Sequence, residues 1–389
     1  MKILYIVSRP LEINTSASIR NRATIKGLIS LGHSIDLVTT EYDQNHKNYD
    51  NTILDKKINT TYLKLGGIQG VARIGRKVSF FKPIKKKIYD YLNSIEVYDN
   101  LKGIVNHVKT LELEVKNYDL IISSSDPKSS HLFAYELLKF YNLEKTRWIQ
   151  IWGDPFFSDI TRANNKLDNK IKKEEKMLIG AADKVVYVSE ITLAEQKNLY
   201  PNYSDKMFYS PIPYLEESIY DVKDKTVEDN LKLLYTGDYS DSIRNINPLL
   251  KVMDNLTDIL TICGDSNLKI VSKGNITVYP RKNLGFIKEL ENDADILIHL
   301  SNKKGSQIPG KIYQYSGTNK SILFILDGEK EKLKKNFGRY NRFVFCDNTK
   351  EDIERAINEI KFSKTKVINA PVERYSPERV ARDIIALER

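Results

Sequence analysis

Cysteine is nearly absent from this chain: 389 residues contain two, Cys263 and Cys346. Both stand in apolar, strand-like surroundings, so the sequence carries neither a disulfide framework nor a cysteine metal knuckle, and a reducing, cytoplasmic setting is expected. Long hydrophobic runs are missing too. Eighteen consecutive apolar residues occur nowhere, which leaves no candidate for a membrane-spanning helix. The opening MKILYIV reaches Ser8, Arg9 and Pro10 too soon for a secretory leader and reads as a buried first strand. Glycine is lacking where a dinucleotide-binding protein needs it: PLEINTSASIRNR, residues 10–22, follows that strand without one, which argues against a dehydrogenase. With five histidines in the whole chain, chemistry that shuttles protons among several imidazoles has little material.

What is present is ample apolar matter, 41% of residues with 10% aromatic, in a chain long enough for two domains. The net charge of +10 calls for anionic partners. No nucleic-acid-binding motif can be recognised, so phosphorylated small molecules and the anionic inner face of a membrane carry more weight. Within KVSFFKPIKKKIYDYLNSI, residues 77–95, Phe81, Ile84, Ile88 and Ile95 recur at helical spacing beside Lys85, Lys86 and Lys87. Such a run suits peripheral contact with an anionic leaflet, or else forms an ordinary helix with a solvated basic face.

Strands and helices alternate along most of the chain. Lys2 to Val7, Ile35 to Thr40, the run ending at Ser123, the run ending at Trp152, and Lys184 to Val188 read as strands of a first domain. Leu231 to Thr236, Leu260 to Cys263, Ile276 to Val278, Ile296 to Leu300 and the run from Ile322 read as those of a second. This is the doubly wound α/β pattern, which places ligands at the carboxyl ends of strands. The serines and threonine of the loop at 10–22, with Arg20 and Arg22, offer hydrogen bonds to a phosphate or a sugar hydroxyl; the plainer alternative is that Ser18 caps the first helix and the arginines are solvated. His131, entering a helix, reads as a structural histidine.

One stretch organises the rest: SQIPGKIYQYSGTNKSILFI, Ser306 to Ile325. Pro309 and Gly310 make a turn, Lys311 opens a short helix that stops near Gly317, and a buried strand follows. Unpaired N–H groups at a helix start, with a lysine beside them, suit a phosphate. Gln307 to Tyr315 resembles the donor-binding segment of retaining glycosyltransferases of family 4, in the subgroup reading P-G-K-[ILV]-[FY]-E-Y. That resemblance implies the GT-B fold, two Rossmann-like domains with parallel sheets facing a central cleft: residues 1–215 on the acceptor side and 216–376 binding the nucleotide sugar, with the helix at 377–389 packing back on the first.

Carried over residue by residue, the resemblance makes Lys311, Ser306, Gln307, Ile312 and Gln314 donor-binding positions. Ser306 and Gln314 stand where the family has two glutamates, and Asn319 and Ser321 where it has glycine and proline. Gly237 matches the glycine after the second domain's first strand, and Arg244 a basic position that grips the diphosphate, while Asp238 replaces another arginine. Tyr279 and Arg281, within YPRKN, lie where the family reads the base. In the first domain Asp154-Pro155-Phe156 matches an aspartate-proline-aromatic turn, although Gly153 stands where an arginine is expected.

The implied activity is transfer of a sugar, with retention, from a UDP- or GDP-linked donor to a hydroxyl of a glycan or lipid-linked acceptor in surface polysaccharide or glycoconjugate biosynthesis. Asp154 would orient or deprotonate the acceptor, while Arg244 and Lys311 neutralise the leaving diphosphate in place of a metal. The pair Asp293 and Asp295 precedes a strand and so belongs at its amino end, away from ligands. Two other readings stand beside this one: a related protein that binds sugar nucleotide without turnover, since two carboxylates are replaced, and a sugar-nucleotide 2-epimerase.

Overall fold

The computed structural model describes residues 1–50, 58–65, 96–111, 113–143, 146–160, 166–221, 229–362 and 364–387. The basic run at 77–95 and most of the charged stretch at 221–230, whose composition suits a linker, lie outside them. Two compact units make up the chain, residues 1–211 with 380–389, and residues 212–379.

The first unit runs β1 (Lys2–Ile6), α1 (Ser16–Ser30), β2 (Ser34–Thr40), β3 (Asn59–Leu63), β4 (Leu120–Ser124), α2 (Ser129–Tyr141), β5 (Arg147–Trp152), α3 (Asp168–Ala181), β6 (Lys184–Tyr187), α4 (Glu190–Leu199) and β7 (Met207–Tyr209). Its seven strands form one parallel sheet in the order β3-β2-β1-β4-β5-β6-β7. The central strands are buried along most of their length because helices cover both faces; every residue of β4, its two serines included, is buried. Trp148 and Trp152 fill the core, and their indole N–H groups are satisfied by Ser123 Oγ at 2.9 Å and Gln150 Oε1 at 2.8 Å.

Two strands escape a reading of apolar runs. β3, NTTYL, is a mostly polar edge strand and β7 is three residues long on the opposite edge, and neither position demands an apolar run. The cap of α1 also differs from expectation. Thr15 accepts from Ser18 N at 3.1 Å, which leaves the Ser18 hydroxyl to donate to the Ile13 carbonyl at 2.7 Å. The helix leaves through Gly32, whose φ of +82° favours glycine.

The second unit runs β8 (Lys232–Thr236), α5 (Asn247–Met253), β9 (Ile259–Cys263), β10 (Ile276–Tyr279), α6 (Leu284–Asp293), β11 (Ile296–Leu300), α7 (Lys311–Tyr315), β12 (Ser321–Leu326), α8 (Lys330–Gly338), β13 (Val344–Asp347) and α9 (Lys350–Lys361). The sheet order is β10-β9-β8-β11-β12-β13, again all parallel. A final helix, α10 (Pro377–Ala386), begins in this unit and ends in the first.

In each unit the strand order reverses once, at β1/β4 and at β8/β11. The chain leaves those paired strands in opposite directions and opens a crevice at their carboxyl ends, the position where doubly wound sheets hold ligands.

Candidate functional site

At the β1/β4 switch point Arg20, from α1, reaches across the sheet end and donates to the Ser125 carbonyl. Only 5% of it is exposed. Its guanidinium lies against Gly153: a Cβ at residue 153 would stand 2.2 Å from Arg20 Nη1. The arginine expected at 153 is thus excluded by an arginine arriving from elsewhere. Arg22 is equally internal. Its guanidinium donates to the Leu11 carbonyl, and burial pulls its pKa down to about 10 against the opposing pull of Asp50 and Glu12. Both guanidiniums are buried and donate to backbone carbonyls.

Around Arg20 stands a cluster of charge. Lys128, buried at the start of α2, contacts Asp126 and lies 5.8 Å above the Trp152 ring. Burial alone would lower the lysine, but Asp126, Asp154 and Asp159 outweigh it and keep it charged. Burial likewise opposes ionisation of Asp126, and Lys128 and Arg20 overcome that, holding it below the usual carboxylate range. Asp154 goes the other way: burial and then the charge of Asp126 push it up to about 7. A carboxyl that titrates near neutrality is suited to proton transfer.

The turn carrying Asp154 is pinned from below. Glu175 of α3 accepts from Phe156 N at 2.6 Å, Phe157 N at 3.3 Å and the Tyr200 hydroxyl at 2.8 Å. His131 stacks on Trp152 with centroids 4.4 Å apart and meets Ser123 Oγ through Nδ1 at 2.8 Å. Burial, with Lys128 and Arg20 nearby, lowers it well below the usual histidine value, so it is neutral. Asp126 and Lys128 were not singled out in the sequence. Their one signal is an Asp-Pro-Lys turn directly after a buried strand, the same punctuation that marks Asp154.

At the β8/β11 switch point Arg244 is held by neutral groups. Nε donates to Asn302 Oδ1 at 2.8 Å and Nη1 to the Asp238 carbonyl at 2.9 Å. Asn302 Nδ2 in turn donates to the Gln307 carbonyl at 2.8 Å, which ties Arg244 to the loop before Lys311. Among the described residues no carboxylate pairs with Arg244, and it is half-exposed. This leaves a preorganised cation with its charge uncompensated.

Gly237, with φ of +148°, and Gly264 let the ends of β8 and β9 touch; a Cβ on Gly264 would stand 2.0 Å from the Gly237 carbonyl oxygen. Arg281 is spent on Asp238, in direct contact, and on Asp265 at 3.7 Å. Tyr279 packs edge-on against Phe286 and gives its carbonyl to Gly264 N at 3.1 Å. His299, buried in β11 against Phe324, is driven by burial down to about 3 and is neutral at any ordinary pH. Asp293 and Asp295 lie at the amino end of the sheet, bonded to the side chain and backbone of Lys232 at 2.6 Å and 2.7 Å.

The Lys311 segment is more fully paired than its sequence implies. Lys311 Nζ lies 3.7 Å from Glu291 Oε1 and 5.5 Å above the Tyr315 ring. Ile312 is wholly buried, and its N–H faces the Pro309 carbonyl at 3.4 Å. Ser306 and Gln307 are buried in the loop before the helix. Gln314 accepts from Leu215 N at 2.9 Å and donates to the Pro213 carbonyl at 3.1 Å, so the bonds expected for a ribose diol are made to the chain's own backbone. Asn319 repeats the device, accepting from Tyr220 N at 2.9 Å and donating to the Tyr220 carbonyl at 2.8 Å. Two of the four departures from the family motif therefore staple residues 213–220 to this segment.

Two Rossmann-like units in one chain, each wound outward from a single switch point, define the GT-B fold. No family model matches the sequence, and no curated protein matches it either. Among solved structures, the catalytic domain of starch synthase IV from Arabidopsis thaliana, bound to ADP and acarbose, is similar at 8% identity, with 100% of this chain and 97% of that one covered and a TM-score of 0.65. The lipopolysaccharide outer core galactosyltransferase WaaB follows at 12% identity, 100% and 99% covered, TM-score 0.58. The UDP-GlcNAc 2-epimerase of Methanocaldococcus jannaschii gives 12% identity, 99% and 100% covered, TM-score 0.55. At these identities the likeness is one of fold.

Proposed function

We propose that the protein is a glycosyltransferase that moves a sugar from a UDP- or GDP-linked donor to a hydroxyl of a glycan or lipid-linked acceptor, in the building of a surface polysaccharide or glycoconjugate. The observation that carries this reading is the fixed, uncompensated arginine at the second unit's switch point; the first unit's switch point holds, by itself, a carboxyl pushed up to about 7. Arg244 is positioned for a diphosphate, and a planar guanidinium can grip two of its oxygens. Asp154 is positioned for the acceptor hydroxyl. The GT-B fold supports the class, and proteins of similar fold include one solved with ADP and one named for galactosyl transfer.

Negative charge builds on the diphosphate as the glycosidic bond to it breaks. Preorganised donors at Arg244, helped by Lys311, stabilise that charge in the transition state. With those cations in place and the Asp293–Asp295 pair committed to Lys232, we propose that no metal is needed and that turnover survives chelation. Retention follows the family resemblance and is read from the anomeric configuration of the product. Work at the inner face of a membrane follows from a lipid-linked acceptor and the overall positive charge.

The test is a thermal-shift and turnover screen with UDP- and GDP-hexoses. A donor at a hundred times its dissociation constant adds about 2.7 kcal/mol of stability, and the same donor should be turned over in the presence of a chelator. Failure of every common UDP- and GDP-sugar both to stabilise the protein and to be turned over would sink the reading.

A further inference from the structure

Asp126 follows β4 and Asp154 follows β5, neighbouring strands whose register runs from Leu120 beside Arg147 to Ser124 beside Ile151. The two turns therefore leave the sheet side by side, and each carboxyl acts on the other's ionisation. Two neighbouring carboxyl groups cannot both ionise without mutual repulsion, so one proton tends to remain in the pair. The groups around them differ. Lys128 touches Asp126, and Arg20 from α1 also acts on it. Asp159 adds a second negative charge near Asp154, Lys128 acting against it. His131 on α2 is neutral, and Glu175 on α3 is turned to the backbone of Phe156 and Phe157.

Two polar atoms here are buried without a partner, Nε of Arg20 and Nε2 of His131, in residues 5% and 0% exposed. Ser123 Oγ already accepts from Trp148 Nε1. Its own hydrogen is then available to His131 Nδ1, which puts the imidazole proton on Nε2. A buried donor left unbonded is costly to the fold.

We infer that Asp126 and Asp154 share one proton until Asp154 releases it, Asp126 remaining ionised beside Lys128, and that Asp154, once ionised, is the base that takes the acceptor's proton. This rests on the glycosyl-transfer reading. In the step, the acceptor O–H bond breaks and its proton goes to Asp154, while the oxygen's electron pair forms the bond to the anomeric carbon. The anomeric C–O bond to the donor breaks, and its electron pair leaves on the nucleoside diphosphate. Asp154 is the catalytic residue; Asp126 and Lys128 are positioning residues that act through it. The proton's route is the same whichever face of the sugar is attacked.

Two measurements on the full chain test this. In the first, aspartate carboxyl carbons are labelled with carbon-13 and titrated by NMR, with Asp154→Asn as the assignment control. One carboxyl should change between about pH 6 and 8 and disappear in the variant. In the second, hydrolysis of UDP-glucose, UDP-N-acetylglucosamine or GDP-mannose is followed against pH, water standing in for the acceptor. The rate should climb through neutrality. Asp126→Asn, nearly isosteric, should move that climb to lower pH by about one unit or more, and Lys128→Met should move it to higher pH. If no carboxyl titrates in this window, the pair does not exist, whatever the activity. If one titrates but the two variants leave the pH profile in place, the pair is not the base. A titrating carboxyl in a protein that turns over no donor overturns the transfer reading, and the base role with it, while the shared proton stands.

Discussion

At the Asp126–Asp154 turn of the first unit, charges of both signs are crowded into a largely buried corner, two carboxyls act on each other's ionisation, and buried donors go without partners. At the Lys311 segment of the second unit, both ends of Gln314 and of Asn319 are matched to backbone groups, and Lys311 has Glu291 beside it. The first arrangement lowers the stability of the fold and has groups free to change protonation; the second raises stability and leaves the amides of Gln314 and Asn319 little to offer a ligand. Polar residues at a sheet end are therefore not equivalent evidence of chemistry. Unresolved electrostatic conflict points to a working site, and complete pairing points to architecture.

The comparison is broken most severely at Asp154. Asp154→Asn should lower turnover by about 10²–10⁴-fold while leaving the nucleotide-induced thermal shift intact. The same change should stabilise the protein in alkaline solution. A carboxyl whose folded pKa is raised contributes stability that is fully present below its unfolded value near 4, and that stability is lost as pH rises through about 7. The asparagine variant escapes this loss, and denaturation at pH 8 should show a gain on the order of 1 kcal/mol, partial exposure of the group keeping it small.

Arg244→Ala should come next, with turnover down by roughly 10²–10³-fold and weaker binding of UDP or GDP by calorimetry. Arg244→Lys should not restore either, because an ammonium cannot bridge Asn302 and the Asp238 carbonyl while gripping phosphate. At Gln314 the expected loss is in stability. A carboxylate facing the Pro213 carbonyl loses a donor and gains repulsion, so Gln314→Glu should cost about 1–3 kcal/mol in chemical denaturation, with specific activity of the folded fraction unchanged. A rise in turnover for that variant would instead make Gln314 a weakened catalytic position and erase the contrast drawn above. The smallest effect belongs to Arg281→Ala, which breaks a partly exposed ion pair with Asp238 and should change stability by about 0–1 kcal/mol.

Much of the fold was legible because buried parallel strands read as apolar runs and helix caps as local chemistry. β11 begins and ends where the sequence places it, and the edge strands β3 and β7 were missed because an edge has no such constraint. The site was legible in part. Asp154, Gly237 and Arg244 stand at strand ends, where the alternation put them. Arg20, Gln314 and Arg281 carry suitable chemistry but are engaged internally, and only partners distant in the chain decide that: residue 125 for Arg20, residues 213 and 215 for Gln314, residue 238 for Arg281. Asp126 and Lys128 were passed over because a short polar turn does not reveal which charge will face it.

The bare Cα at residue 153 and the guanidinium lying on it form one feature written in two places 133 residues apart. Neither half can drift alone. Any side chain at 153 evicts the arginine from α1, and removing that arginine leaves a hole beside the carboxyl pair that glycine cannot fill. Chains in which position 153 carries an arginine of its own should therefore be released from keeping one at position 20, so the two positions should be found exchanging the same cation as sequences diverge.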